Sequence, residues 1–374
     1  MSALTTFLRC CTVLYVDAGA IERLRRAAAG VADWEPLAEV AERHGLAPLV
    51  YQHCKTAGLT LPAMQTTQLR ALTLRHRNAA ATRRDVLSEI LGALEREHIQ
   101  VLLLKGAALA HMVYPAPALR PMRDVDLLVS PAHAGSAQQV LRELGFSAPD
   151  QHGGFMHDHH HLPGASRQQN GLMISVEIHH DALSGDVPAS IRTDNLTAPV
   201  QKFQLGDRTA RALGHVDMLR HLCHHTFEPI AEIKLGSVVD LVAYADRFRE
   251  DIDWGSVNRE FPFILNSLHC LHYIAPLPTA LVAKIGRPET PAPRGLGVGL
   301  KPISQILRRG ASPGRAAREL LDPSDWWLHA YYNVEPGRSL TTTRWLRHPA
   351  RVGHWLWRRL RARRHSRHET VAIR

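Results

Sequence analysis

Apolar residues divide the chain into helical flanks around a short stretch where the period changes. From about Ala18 to Leu72, Trp34, Leu37, Ala38, Val40, Ala41, Leu46 and Leu49 recur near the helical period, with Gly45 and Pro48 as breaks. A longer helix is predicted from about Ala79 to Glu97, with Val86, Ile90, Leu91 and Leu94 as its apolar stripe. Ile99 to Leu104 is then a short apolar run closed by Lys105-Gly106, which reads as a buried strand. Ala107 to Tyr114 predicts a short helix ended by Pro115 and Pro117. Asp124 to Val129 predicts a second strand, and Ala134 to Leu144 a helix closed by Gly145. A hairpin is expected next. One arm covers about Phe155 to Leu162, the turn lies at Gln169-Asn170-Gly171, and the other arm covers Met173 to His179. Helical periodicity returns at Asp217 and continues from Ile233 to Phe248, whereas the proline- and glycine-rich residues 275 to 302 read as a loop.

This pattern predicts an α+β fold: a small mixed sheet with helices, flanked by helical N- and C-terminal regions. The expected divisions are an N-terminal helical region over 1–77, a core over 78–204, a C-terminal helical region over 205–335 and a tail over 336–374.

Composition changes the picture in one respect. The net charge is +10, which at first suggests a nucleic-acid binder. From Arg344 to Arg374, however, ten arginines face one acid, Glu369, so the tail carries +9 and the rest of the chain +1. The body is nearly neutral. The tail also holds Trp345, Trp355 and Trp357, with Leu346, Val352, Leu356 and Leu360 near helical spacing. A basic amphipathic helix with tryptophans suits an anionic membrane surface or nucleic acid; the alternative is a solvated C-terminus. No run is long and apolar enough to span a bilayer, and the N-terminus lacks the features of a signal peptide. The five cysteines show no metal-type spacing and read as buried free thiols in a reducing cytoplasm.

The candidate chemistry is acidic. Alternate residues of a strand share a face, so Asp124 and Asp126 stand side by side while Val125 and Leu127 point to the core. Glu177 lies on another strand between apolar Val176 and Ile178, where an acid is costly unless paired or metal-bound. Three such acids suit hard divalent cations, and a pair of ions roughly 3.5–4 Å apart would clamp the oxygens of a phosphoryl displacement. Lys105-Gly106 sits at a strand-to-helix turn, where backbone N–H groups attract phosphate and Gly106 would permit close approach. Arg120 and Arg123 are expected to contact phosphate as well, or to pair with the aspartates. Taken alone, a D-x-D on a strand reads equally as a solvated edge or a salt-bridged turn. The order of the three elements carries the reading.

With those residues in hand, the run LLLKGAALAHMVYPAPALRPMRDVDLLV resembles the uncharacterised nucleotidyltransferase family, a branch of the polymerase-beta-like superfamily. ISVEIHHDAL resembles a further segment of that family. The likeness extends upstream to DWEPLAEVAERHGLAPLV and downstream to HLCHHTF and VVDLVAYADRF, covering roughly residues 30 to 260. The resemblance implies a nucleotidyltransferase core, Mg2+ (or Mn2+) and a nucleoside triphosphate as donor. It implies Asp124, Asp126 and Glu177 as metal-binding acids, and Lys105-Gly106 as the nucleotide-binding turn. The wider superfamily carries Gly-Ser or Gly-Gly at that turn, so Lys-Gly is a departure that bears on triphosphate binding.

Histidines supply the remaining candidates. His157, His159 and His161 alternate along one predicted strand face, a spacing that either makes a zinc site or leaves a polar exposed strand at the site's rim. His179 shares a face with Glu177 and is a candidate to hydrogen-bond an acid. His224 and His225 read as core or interhelical groups. The functional expectation is transfer of a nucleoside monophosphate to a hydroxyl-bearing acceptor, whether small molecule, peptide or protein. The expected location is the cytoplasm, with peripheral membrane or nucleic-acid contact through the tail. The rival is a non-catalytic binding module that kept the fold, which gives no reason to retain three clustered acids.

Overall fold

The computed structural model describes residues 2–149, 159–183, 189–227, 233–287 and 338–354, with single positions at 321, 328, 332, 334 and 357. The chain divides into two units. One comprises Met1–Thr226 with Lys234–Arg287, the other Phe227–Ile233 with Pro288–Arg374.

The first unit opens with helices α1 (Ala3–Cys10) and α2 (Ala18–Ala29), whose N-termini are capped by the side chains of Ser2 and Asp17. Helices α3 (Leu37–Arg43) and α4 (Ala47–Thr56) follow. Gly45, in the left-handed region at φ +71°, and Pro48 in the first turn of α4 separate them, as the sequence indicates.

Helix α5 then runs unbroken from Ala63 to Arg96. The two separate helices expected up to Leu72 and from Ala79 are therefore one. The intervening Thr73-Leu74-Arg75-His76-Arg77-Asn78 interrupts the apolar stripe but holds no glycine or proline. Arg75 and His76 instead pair with Glu42 of α3, so the polar turn is stabilised by a partner. Near the start of the same helix, buried Gln65 accepts from the Ala38 N–H at 3.0 Å and donates to the Glu35 carbonyl at 2.9 Å.

The sheet contains β1 (Val101–Leu103), β2 (Asp124–Val129), β3 (Ala165–Gln169), β4 (Leu172–His179), β5 (Gln201–Leu205) and β6 (Arg208–Ala212), in the order β3-β4-β2-β1-β6-β5. It is mixed: β2 pairs parallel with β4 and antiparallel with β1. Helix α6 (Lys105–Met112) leaves β1 directly, and α7 (Ala134–Glu143) follows β2, with Gly145 at φ +82° beyond its end. The expected α+β architecture is present.

Two strand expectations change. The first hairpin arm is Ala165–Gln169 rather than 155–162; of the latter range, 155–158 lie outside the described residues and His161 makes only an isolated bridge to His179. The turn at Asn170-Gly171 stands, both residues having positive φ. The hairpin β5–β6 has no counterpart in the sequence reading, because QKFQL and RTARA are largely polar strands with little apolar alternation.

Helices α8 (His215–Thr226), α9 (Leu235–Arg247), α10 (Trp254–Glu260), α11 (Pro262–His272) and α12 (Thr279–Ile285) complete the unit. Cys11, Cys54, Cys223 and Cys270 are buried free thiols and Cys10 is half-buried. In the second unit, residues 341 to 354 are helical, with a wide turn over Thr343–Arg347. There Tyr332 and His348 hydrogen-bond at 2.9 Å, while Trp345, Leu346 and Trp357 are exposed. Among the described residues, no helix is long and apolar enough to cross a membrane.

Candidate active site

The parallel register of β2 and β4 sets Asp126 directly opposite Glu177, and Asp124 opposite Ser175. Val125, Leu127, Val176 and Ile178 turn the other way into the core, which fixes the acids on the opposite face. His179, two residues after Glu177, shares that face and is buried. Its Nε2–H donates to Asp126 Oδ1 at 2.9 Å and lies 3.5 Å from Glu177 Oε2. Asp126, Glu177 and His179 thus offer three donor atoms within 4.8 Å of one another; among the described residues they form the close group able to hold a metal ion, and Asp124 is outside it.

Lys105 opens α6 with its backbone in the left-handed region at φ +38°, and its Nζ is 3.6 Å from Asp126 Oδ2. A lysine held there is strained, a feature common at functional sites. Burial alone would raise the Asp126 carboxyl, but Lys105, the His179 hydrogen bond and the nearby His225 outweigh it and hold the group ionised, well below its usual range. The His179 hydrogen bond lowers Glu177, against burial. Burial opposes the charged form of His179, yet the two carboxylates raise its pKa. Asp124 stands at the solvent edge of β2. Desolvation on its packed side and then the charge of Asp126 push its carboxyl up, with Lys105 opposing.

Arg120 pairs with neither Asp124 nor Asp126, although it lines the same cleft. Its guanidinium is buried against Asp240 of α9, donating from Nη2 at 2.6 Å and from Nε at 3.2 Å to both oxygens. Tyr114 Oη donates to the same Asp240 at 2.7 Å. The guanidinium lies on Gly106, where an added Cβ would meet Nη1 at 2.1 Å. In this structure, then, the space that Gly106 opens is filled by Arg120. Arg123 is exposed at the mouth of the site. Arg83 of α5, not singled out in the sequence, donates to the Met122 carbonyl at 2.7 Å; burial lowers its pKa, with the charge of Asp124 opposing.

Asp124, Asp126, Lys105, Arg83, Arg120 and Arg123 line a cleft of about 850 Å³. Its lining also includes Gly106, together with Glu39, Glu42 and Arg43 of α3, His44 after it, Arg75 and His76 of α5, and Lys234 and Ser237 at the start of α9. His225 also lines it, while His224 packs against Phe263 with ring centroids 4.8 Å apart. His44 is buried and its pKa falls to about 4, through burial and then the charges of Arg43 and Lys234.

Of the candidate zinc face, His157 lies outside the described residues. His159 is exposed, and His161 turns its ring toward His179 at 5.1 Å while its Nδ1 pairs with the Leu162 carbonyl. The sequence reading also missed Asp240 and Tyr114. The available signal was an acid inside the apolar run Val238-Val239-Asp240-Leu241-Val242.

A mixed sheet that carries an acid–imidazole cluster on adjacent strands, with Asp126 of that cluster lining a cleft, defines an α+β protein with a candidate metal centre. Its sequence assigns the family: residues 30–273 match the uncharacterised nucleotidyltransferases, and the chain belongs to that family. No curated protein matches it in sequence. A solved structure that it resembles is an antigenic nucleotidyltransferase-like protein from Paracoccidioides brasiliensis, at 14% identity and a TM-score of 0.33, covering 55% of this chain and 98% of that one.

Proposed function

We propose that the protein transfers a nucleoside monophosphate from a nucleoside triphosphate to a hydroxyl-bearing acceptor, with a divalent cation, Mg2+ or Mn2+, at Asp126 and Glu177. The observation that carries this is the cross-strand pairing of those two acids, with Lys105 beside Asp126 where that acid meets the cleft. Clustered oxygen donors with a basic neighbour fit a hard cation that brings phosphate with it. Family membership supports the same reading.

His179 acts here as an aligning donor rather than a ligand. A metal-bound histidine passes its second N–H to an acceptor, and His179 Nδ1 is buried without a partner. Its Nε2–H instead fixes the facing oxygens of Asp126 and Glu177. When bound, the cation supplies charge neutralisation at the transferred phosphoryl group.

The chain's own groups do the rest. Lys105, with buried Arg83 and with Arg123 at the mouth, balances the triphosphate charge. Asp124 completes the acidic edge. Glu177, held ionised by His179, accepts the acceptor's hydroxyl proton. The acceptor oxygen then bonds to the α-phosphorus as the bond to pyrophosphate breaks.

The test is a melting experiment with Mg2+ or Mn2+ and each nucleoside triphosphate. A ligand at a hundredfold excess over Kd stabilises by about 2.7 kcal/mol. We expect that gain with at least one nucleotide, and its loss in Asp126→Asn. A melting temperature indifferent to every metal–nucleotide pair would remove the basis of the proposal.

A further inference from the structure

The cleft lining carries a cation that the reaction at the acids does not use. Arg43 ends α3 and lines the cleft. Its Nε is buried and has no hydrogen-bond partner among the described residues. Glu42, the adjacent acid, is taken by Arg75 and His76. Glu39, one turn earlier, is exposed and forms no ion pair with Arg43 among the described residues. A cation in the last turn of a helix is favourable in itself. That accounts for its charge, but not for a guanidinium N–H buried without an acceptor, which is rare in a finished core.

Lys234 brings a second positive charge to the same place, and both bear on buried His44 between them. Ser237, in the first turn of α9, also lines the cleft. Like charges gathered around an unsatisfied donor attract an anion, and this anion would be additional to the triphosphate, whose charge falls to Lys105, Arg83 and Arg123 in the reading above.

We infer that the acceptor is itself anionic, a hydroxyl compound bearing a carboxylate or phosphate group that docks on Arg43 with Ser237 beside it. The inference rests on the nucleotidyl-transfer reading for the word acceptor, but the anion site stands on Arg43 alone.

The experiment uses the full chain, with sulfate as the probe and chloride at equal ionic strength as control. Sulfate affinity is measured by calorimetry with and without saturating Mg2+ and a non-hydrolysable α,β-methylene nucleoside triphosphate. We expect sulfate to bind alongside the analogue. Arg43→Gln should weaken sulfate by about tenfold, the effect of losing one charged hydrogen bond, and leave the analogue's affinity unchanged. Arg43→Lys should retain part of the binding. Ser237→Asp, which places a carboxylate where a helix start favours it, should also expel sulfate without unfolding the chain.

The inference is overturned if sulfate does not bind, if it binds equally to Arg43→Gln and Ser237→Asp, or if it competes with the analogue, which would put Arg43 in the triphosphate site. Failure of the analogue to bind at all counts against the donor reading instead, and the sulfate titration of the free chain still decides the Arg43 site.

Discussion

Gly106 lies directly beneath the guanidinium of Arg120, so close that a methyl group on the glycine would stand 2.1 Å from Nη1. The contact ties the turn after β1 to Asp240 of α9. Gly106→Ala must push Arg120 away and strip Asp240 of its fork of hydrogen bonds. Leaving one member of a buried pair uncompensated costs on the order of 3–5 kcal/mol. Urea unfolding should show a loss approaching that range, and Asp240→Asn a loss in the same direction. An alanine variant within about 0.5 kcal/mol of the parent, the scale of a neutral surface change, would mean that the arginine moves aside freely.

Lys105 combines an unfavourable backbone with a useful charge. For a residue with a Cβ, the left-handed region costs roughly 1–2 kcal/mol, which glycine avoids. Lys105→Gly should therefore be more stable than Lys105→Ala by about 1 kcal/mol in thermal melts, by that same argument. Both should bind nucleoside triphosphate more weakly than the parent. Arginine should rescue binding only in part, because its planar fork differs in shape from an ammonium. Equal nucleotide affinity in all four proteins would detach Lys105 from the phosphates.

Acid should destabilise the protein through buried histidines. Burial lowers the pKa of His44 and of His53 to about 4, with Arg43 and Lys234 adding to the effect at His44. Above the ordinary value near 6.5 both are neutral, folded or unfolded, and cost nothing. As pH falls from about 6.5 to about 4, the unfolded chain takes up protons that the folded one refuses, so stability drops, by roughly 3 kcal/mol for each such group over the whole interval. His53→Leu should make this acid limb shallower while leaving stability above neutrality close to the parent. An acid limb unchanged in His53→Leu would show that His53 is not among the groups responsible.

The basic tail predicts a separable binding activity. With +9 of the chain's +10 after residue 343, and Trp345, Leu346 and Trp357 exposed, the full chain should bind anionic vesicles in a salt-sensitive way. Each basic residue near such a surface contributes on the order of 1 kcal/mol. Deleting residues 344–374 should abolish that binding and preserve nucleotide-dependent stabilisation. Single-stranded RNA in place of vesicles tests the competing partner. Undiminished binding by the shortened chain would move the patch to the folded body.

The sequence made the acids legible because strand period and register are local facts. Asp124 and Asp126 share a face by alternation, and the hydrophobic flanks of Glu177 announce a strand. What escaped reading depends on contacts between distant segments. Arg120 was expected near phosphate or the aspartates, but its partner Asp240 is 120 positions away. Arg43 was invisible as a site residue because only folding brings α3 against the start of α9, where the Gly236 N–H donates to the His44 carbonyl at 2.9 Å. The continuity of α5 was missed because its polar middle turn is satisfied by Glu42, which no periodicity reports.

That unbroken helix sets a rule for fragments. Gln65, near its start, grips the α3 segment, Arg75 and His76 form part of one cleft wall, and Arg83, farther along, supports Met122 beside the acids. A fragment begun at residue 78 would cut through the middle of α5, discarding one wall of the cleft and leaving Arg83 on a frayed end. The smallest piece that keeps the cleft intact must begin before α3, so the helices ahead of the sheet are working parts of the site rather than an attachment to it.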